Sequence, residues 1–335
     1  MKLNKTNRSV VYGIIILLFV SVITCGICLC IGRYSIPPKD AISFLIGNLE
    51  HDTASFNVLY HIRIPRILLS YLIGIALSAS GAAYQSLFHN RLVSPGVLGV
   101  NSGACVGAGI CILMGTSISV RTITSFSTGI LAAFLALLIQ KCAKSKSPIV
   151  LVLAGVVVSA LMNSIIGIIK YIADGKNKLA SITFWMLGSI ADSEINEVYL
   201  LLPFVAVCCT VILLMSWRLN AMSLGEKEAL SVGINYKAER LVIICCSTLL
   251  TSVTVSISGS IDWVGLIIPN ISRSVVGSDN RKMLPITILL GGIFMTIVDT
   301  LARSISPNEI PLGIITGLFG SVIYFFILIS KRGIT

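Results

Sequence analysis

The chain has 335 residues, of which 55% are hydrophobic and only 12% charged, roughly half the charged share of a soluble globular domain. Its formal net charge of +11 would suit nucleic acid, but no soluble basic domain exists to hold one. The lysines and arginines fall in short loops between apolar runs, the distribution expected of cytoplasmic loops in a membrane protein.

Apolar runs of roughly 18–22 residues recur along the whole length, each long enough to cross about 30 Å of hydrocarbon. Their backbones are helical, because lipid offers nothing to satisfy open N–H and C=O groups. The prediction is an all-α polytopic membrane protein with about ten transmembrane helices and a single transmembrane domain over 1–335.

Residues 1–10 form a short basic tail (Lys2, Lys5, Arg8) before a first span over 11–31. The stretch is similar to a signal peptide, and Val22-Ile-Thr-Cys25 faintly resembles a lipoprotein cleavage box. Continuation into further spans predicts an uncleaved first helix with its N-terminus in the cytoplasm. Nine more spans follow: 64–86, 97–115, 122–140, 149–169, 198–216, 241–258, 263–277, 284–302 and 311–330. Alternation puts Arg91, then Lys141, Lys144 and Lys146, then Arg218 to Arg240, then Arg281 and Lys282, and Lys331 and Arg332, inside. The outer loops hold Asp40, Glu50, Asp52, Asp174, Asp192, Glu194, Glu197 and Glu309. That asymmetry supports an even number of spans with both termini inside. The 263–277 span is short and contains Pro269, so it is expected to be broken or partly re-entrant. Outer loops 32–62 and 170–197 and inner loop 217–240 are long enough to be more than turns.

Bond-breaking chemistry has no residues to carry it. His51, His61 and His89 are scattered, and no GxSxG, HExxH, carboxylate pair or GxxxxGK[ST] phosphate loop occurs; Gly175-Lys176-Asn177 lacks the leading glycine and the hydroxyl. Any ATPase that drives the protein is another chain. Of the ten cysteines, all but Cys142 lie in apolar runs. Cys25-Gly-Ile-Cys28-Leu-Cys30 has CxxC spacing but no accompanying His, carboxylate or second CxxC, so the cysteines read as small buried hydrophobes. No cofactor or metal is expected.

Three features have both a structural and a functional reading. Asp299 is the one well-placed intramembrane acid, and it lies four residues before Arg303. A local helical ion pair is the simpler account, and an ion-coupling site the other. Arg63 and Arg66 lie three apart around Pro65, a residue suited to a helix's first turn. They are either snorkelling anchors or, with Arg303, a basic docking point for an outer partner's carboxylates. The stretch Arg218 to Gly233 reads as a short amphipathic helix stopped by Gly233, with an apolar patch at Leu224 and Ala229 to Val232 beside Glu226, Lys227 and Glu228. It either lies on the membrane surface or plugs into a cytosolic partner. Gly99, Gly103 and Gly107, and Gly313 and Gly317, fall at four-residue spacing, which allows close helix contact.

Several of these segments resemble the FecCD family, the permeases of bacterial ABC importers for iron-siderophores, haem and vitamin B12. The resemblance rests on Arg63-Ile-Pro-Arg66-Ile-Leu, Ser80-Gly81 to Gln85, Asn90-Arg-Leu-Val-Ser-Pro95 and Leu98-Gly99 to Gly103. In the second half it rests on Leu219-Asn-Ala-Met-Ser-Leu-Gly-Glu226 to Gly233, Trp263-Val-Gly-Leu-Ile-Ile-Pro269-Asn-Ile-Ser-Arg273, Gly277-Ser-Asp-Asn-Arg281, Asp299 to Arg303 and Glu309-Ile-Pro311-Leu-Gly313. Arg91 stands where the family usually has Pro, Asn270 where it has His, Ser272 where it has Ala, and Asp279-Asn280-Arg281 where it has a DHR triplet.

The resemblance implies the type II ABC importer permease fold in a bacterial cell membrane. It implies Arg63, Arg66 and Arg303 facing glutamates of an extracytoplasmic substrate-binding protein or lipoprotein. Gly225, Glu226, Lys227, Glu228, Ala229, Leu230 and Gly233 would contact a cytosolic ABC ATPase subunit. Gly99, Gly103 and Gly107 would pack near a pathway between this chain and a second permease copy or paralogue. Ferric siderophore is the expected cargo, with haem, cobalamin and molybdate as alternatives. The rival from another class is an ion-coupled secondary transporter with an essential Asp299, and a third is a membrane scaffold.

Overall fold

Hydrocarbon thickness and a helical rise of about 1.5 Å per residue set the scale for every element of this chain. The computed structural model describes residues 5–49, 53–144, 147–173, 177–306 and 309–331. Lys2, Glu50, His51, Asp52, Lys146, Asp174, Gly175, Lys176 and Arg332 lie outside the described residues. The regular elements among the described residues are all helices. In order they are α1 (Lys5–Cys30), α2 (Pro38–Ile46), α3 (Ala54–Asn57), a π-helical segment (Val58–Arg63), α4 (Ile64–Leu87), α5 (Val100–Met114), α6 (Ile118–Cys142) and α7 (Pro148–Ile172). Then come α8 (Lys178–Met186), α9 (Ile195–Leu214), α10 (Ser216–Met222), α11 (Glu226–Ser231), α12 (Tyr236–Ser258), α13 (Val264–Val276), α14 (Asn280–Ile305) and α15 (Leu312–Lys331).

Each of the ten expected spans has its helix. Seven are long and apolar enough to cross a membrane: α1, α3 through α4, α6, α7, α9, α12 and α14. Three are shorter apolar helices: α5, α13 and α15. The basic tail is itself partly helical, since α1 starts at Lys5 and not at residue 11. The three long loops carry helices: α2, α3 and the π-helical segment in the first, α8 in the second, and α10 with α11 in the third.

Local chemistry explains where the helices start. Ser147 caps α7 ahead of Pro148, Asn235 caps α12 by accepting from the Ala238 N–H, and Asp279 caps α14 by accepting from the Arg281 N–H. Glu194 and Glu197 form a reciprocal capping box at the start of α9.

The centre of the bundle is α4, nearly all of it buried and much of it Ser, Ala and Gly. Between helices in lipid there is little hydrophobic drive, so association depends on close packing of small side chains. A Cβ on Gly74 would lie 2.1 Å from the Gly291 carbonyl oxygen of α14. One on Gly81 would lie 1.8 Å from the Gly265 oxygen of α13. Hydroxyls add polar ties: Ser80 bonds Thr251 at 3.0 Å and Tyr84 bonds Thr248 at 2.8 Å, joining α4 to α12. The outer surface is the reverse, with Ile16, Phe19 and Val22 of α1, Ile123 and Phe134 of α6, and Val156 and Ile168 of α7 exposed. Apolar surface of that extent suits lipid and not water.

The expected break in the 263–277 span is absent, and α13 is one continuous short helix through Pro269. Proline has no N–H to give the carbonyl four residues back, which is Gly265. The Gln85 side-chain amide of α4 donates to that oxygen at 3.3 Å, and also to the Leu266 oxygen at 3.2 Å. A neighbouring helix supplies the donor that proline lacks, so the helix continues.

The close contact between α4 and α14 predicts that Gly74→Leu and Gly291→Leu each destabilise the folded protein by at least the 1–3 kcal/mol or so typical of overpacking. Gly167→Leu, whose Cβ meets nothing within 4 Å, is the control. Thermal unfolding in detergent should show a lowered midpoint for the first two and little change for the third.

Candidate functional site

Two polar assemblies sit at opposite ends of α4. Arg66 and Ser86 are separated by twenty residues of helix, roughly 30 Å at about 1.5 Å per residue.

The first assembly gathers three arginines and two carboxylates at the end the charge asymmetry places outside. Arg66 donates through Nε to both Asp299 oxygens, at 2.9 and 3.1 Å, and through Nη1 to Glu309 at 2.9 Å. Asp299 therefore pairs across the bundle with Arg66, and not with Arg303 four residues along its own helix. The local ion pair expected from spacing is replaced by one across the bundle, in which the Arg66 Nε–H is shared between the two buried Asp299 oxygens.

Arg63 and Arg303 do something different. The helix α1 ends at Cys30, leaving its last carbonyls without intrahelical donors. Arg303 Nη2 donates to the Cys28 oxygen at 2.6 Å, and Arg63 donates to the Leu29 and Tyr34 oxygens. Two arginines from α14 and from the turn before α4 thus cap α1 at the negative end of its dipole.

All three arginines are buried, at 2, 3 and 5% exposure for Arg63, Arg66 and Arg303. The structure brings together the three residues predicted to dock a partner, but turns them inward. Asp299, Glu309 and the α1 carbonyls take several of their donors, while the buried Arg303 Nε has no hydrogen-bond partner among the described residues.

The second assembly is the inner loop. It divides into α10 and α11 and not one amphipathic helix, because Gly225 between them adopts φ 129°, ψ 167°. α11 ends as the sequence implies. Gly233 takes φ 80°, its N–H bonds the Leu230 oxygen at 3.0 Å, and the Ile234 N–H bonds the Ala229 oxygen at 3.0 Å. This is a Schellman closure, with Ala229 and Ile234 buried at its apolar contact. Leu224, Leu230 and Val232 are exposed beside Lys227 and Glu228, leaving an apolar patch with charged neighbours on the inner face.

Behind the patch the loop is tied to the bundle by contacts that the sequence did not indicate. Asn220 donates to Asp279 at 2.6 Å and accepts from the Asn280 N–H at 2.8 Å. Asn280 in turn accepts from Ser86 of α4 at 2.8 Å. His89, with φ 53°, bonds the Met222 carbonyl at 2.8 Å. An amide beside a capping aspartate is the signal that a sequence offers for such a knot, but the partners lie 59 residues or more apart.

Gly99, Gly103 and Gly107 do not form one ladder. Gly99 precedes α5 with φ 84°, against Val158 of α7. Gly103 and Gly107 pack α5 onto α6, where a Cβ would lie 2.6 Å from the Ala132 Cβ and 2.3 Å from the Thr128 hydroxyl. Elsewhere α5 helps line a cleft of about 350 Å³ with Asn101, Ser102, Asn163, Ser260 and Asp262. Asn101 donates to Asp262 at 2.9 Å. Desolvation by the surrounding protein raises the Asp262 carboxyl above the ordinary aspartate range, opposed by that hydrogen bond. No group of three or more His, Cys, Asp or Glu side chains that could hold a metal ion occurs among the described residues.

The bundle carries a buried charge cluster at its outer end and a hydrogen-bonded loop at its inner end, and its long apolar helices are those of a multi-pass membrane protein. Residues 15–331 match the model of the FecCD transport family, and the chain belongs to that family. It is 37% identical over 329 residues to the molybdate import system permease protein MolB of Haemophilus influenzae, covering 97% of this chain and 96% of the relative. It is 31% identical over 293 residues to the hemin transport system permease protein HmuU of Yersinia pestis, covering 86% and 87%. The fold is similar to a solved structure described as an inward-facing conformation of an ABC transporter assigned to the metal-chelate type, with a TM-score of 0.84 and 36% identity. That match covers 95% of this chain and 98% of the other.

Removing one member of a buried ion pair costs up to about 3–5 kcal/mol where the other charge is left uncompensated, and without Asp299 the buried Arg66 keeps only the partly exposed Glu309. Asp299→Ala should therefore lower the thermal midpoint sharply, whereas Arg66→Met combined with Asp299→Leu should recover most of the loss. A double variant no more stable than Asp299→Ala would show that the pair is not coupled as its geometry indicates.

Proposed function

We propose that this chain is the permease subunit of a binding-protein-dependent ABC importer, forming the path while a separate cytosolic subunit hydrolyses ATP. The single observation that carries the reading is the inner patch of Leu224, Leu230 and Val232 around the Schellman-capped α11, in a loop whose neighbouring α10 is hydrogen-bonded to the bundle. A helix meant only to lie on lipid needs no such wiring to the transmembrane helices. Family membership over residues 15–331 supports the same reading.

In this mechanism a substrate-binding protein delivers cargo to the outer face, above the Arg63, Arg66 and Arg303 cluster. The cluster shapes that face by fixing the ends of α1, α4 and α14. Two ATPase subunits bind ATP, close, and move the loops around α10 and α11. The bundle then alternates between outward-open and inward-open states. Cargo passes between this chain and a second permease copy or paralogue, along the polar cleft of Asn101, Ser260 and Asp262. Gly103 and Gly107 hold the α5 wall of that cleft against α6.

The cargo we propose is a ferric siderophore. The 37% identity to a molybdate permease across nearly the whole chain favours a second reading, molybdate. The ion-coupled alternative is disfavoured by Asp299 itself, whose two oxygens are both engaged by Arg66 and so are poorly placed to exchange protons or sodium.

The test is uptake of labelled ferric siderophore, haem, cobalamin and molybdate in a strain lacking the gene, with and without a plasmid copy. Ferric siderophore uptake should return with the plasmid and vanish when the phosphate-loop lysine of the partner ATPase is replaced. Restoration of molybdate alone would select the second reading, and uptake that survives loss of the ATPase would overturn the importer reading. Leu230→Asp with Val232→Asp should reduce co-purification of the ATPase at least tenfold while the permease still accumulates in the membrane.

A further inference from the structure

The two ends of the α4–α14 pair are tied by different chemistry, and the loop carrying the inner patch is tied to only one of them. At the outer end Asp299 of α14 grips Arg66 of α4 at 2.9 and 3.1 Å. At the inner end Asn280 of α14 accepts from Ser86 of α4 at 2.8 Å. Between the ends Gly74 and Gly291 bring the backbones so close that a Cβ on either would overlap the other's carbonyl. Ser70 and Thr296 hydroxyls meet at 3.5 Å one to two turns from the ionic tie. Side chains interlocked at four levels have no low-energy way to slide, because each level sets the same register.

Asn220 joins the α10–α11 loop to this pair. Its amide uses both ends, donating to Asp279, which caps α14, and accepting from the first N–H of α14 at Asn280. Asp279 holds both the Arg281 N–H and the Asn220 amide on the same carboxylate oxygen. The loop thus reaches the α14 N-terminus through two short hydrogen bonds at the point where α14 is also bonded to α4.

We infer that α4 and α14 move as one rigid unit and that Asn220 is the positioning residue that passes movement of the α10–α11 loop into it. The inference rests on the importer reading. A push on the loop reaches Asp279 and Asn280, travels along α14, and arrives at the Asp299–Arg66–Glu309 cluster about 30 Å away without loss in internal sliding. The outer face then changes in step with the ATPases because the same two helices end in both places.

The experiment uses the intact permease–ATPase complex in proteoliposomes, measuring cargo imported per ATP hydrolysed. Asn220→Ala should lower that ratio at least tenfold while the complex still assembles and hydrolyses ATP. Asp279→Ala should behave as Asn220→Ala does, and serves if that variant fails to accumulate. In a second arm Ser70→Cys with Thr296→Cys, oxidised to join α4 to α14, should keep at least half of the uptake of the same variant left reduced, with each single variant treated alike as control. An unchanged ratio in Asn220→Ala or Asp279→Ala would remove the joint, and uptake lost on oxidation would refute the rigid unit. Absence of ATP-driven uptake in the unmodified complex would instead count against the importer reading.

Discussion

The structure depends on the contact between α4 and α14. Most of α4 is buried without bulky side chains, and it gains its stability by letting α14 and α13 approach to backbone contact at Gly74 and Gly81. Dispersion between so many closely spaced atoms is favourable, and the Gly74–Gly291 contact already restricts the register. The buried Arg66–Asp299 pair enforces it. An ion pair in a low-dielectric interior adds little net stability, yet any slip that separates it leaves two bare charges, so only one alignment is tolerated.

The outer arginines follow from the same constraint. Once Arg66 is committed to Asp299 and Glu309, Arg63 and Arg303 are repelled from it and find the open carbonyls at the end of α1. The cluster therefore links three helices by two kinds of bond, ionic between α4 and α14 and dipolar toward α1. At the inner end hydrogen bonds replace the ion pair, through Ser86, Asn280 and Asn220, with the Asp279 carboxylate as one acceptor. Such hydrogen bonds exchange partners at lower cost than a buried ion pair. The inner end is thus suited to passing on movement and the outer end to holding register.

The long-period features were legible in the sequence. Each apolar run became a helix near its expected place, and Gly233 ended α11 through the αL conformation that its residue type allows. What sequence spacing missed was every interaction decided by distance in space. Asp299 has Arg303 four residues on, so spacing proposed that pair, while its actual partner lies 233 residues away. Pro269 marked α13 for a break, but Gln85 of another helix replaced the missing donor. Gly99, Gly103 and Gly107 shared a spacing, yet Gly99 is a turn residue and only the latter two pack α5 on α6. The arginines read as anchors or a docking point, and nothing in their local sequence showed the carbonyls and carboxylates that they meet.

The most direct measurement is a distance across the central pair while the transporter works. Leu68 of α4 and Ile297 of α14 are both exposed on this chain, so cysteines there accept spin labels without disturbing its core. The exposed Cys142 and Cys245 would first be replaced by serine. Pulsed dipolar spectroscopy on the complex with its ATPases, with and without trapped nucleotide, should give one narrow distance distribution that does not move. A distribution that shifts or splits when nucleotide is trapped would show α4 and α14 sliding against each other, and would contradict the account.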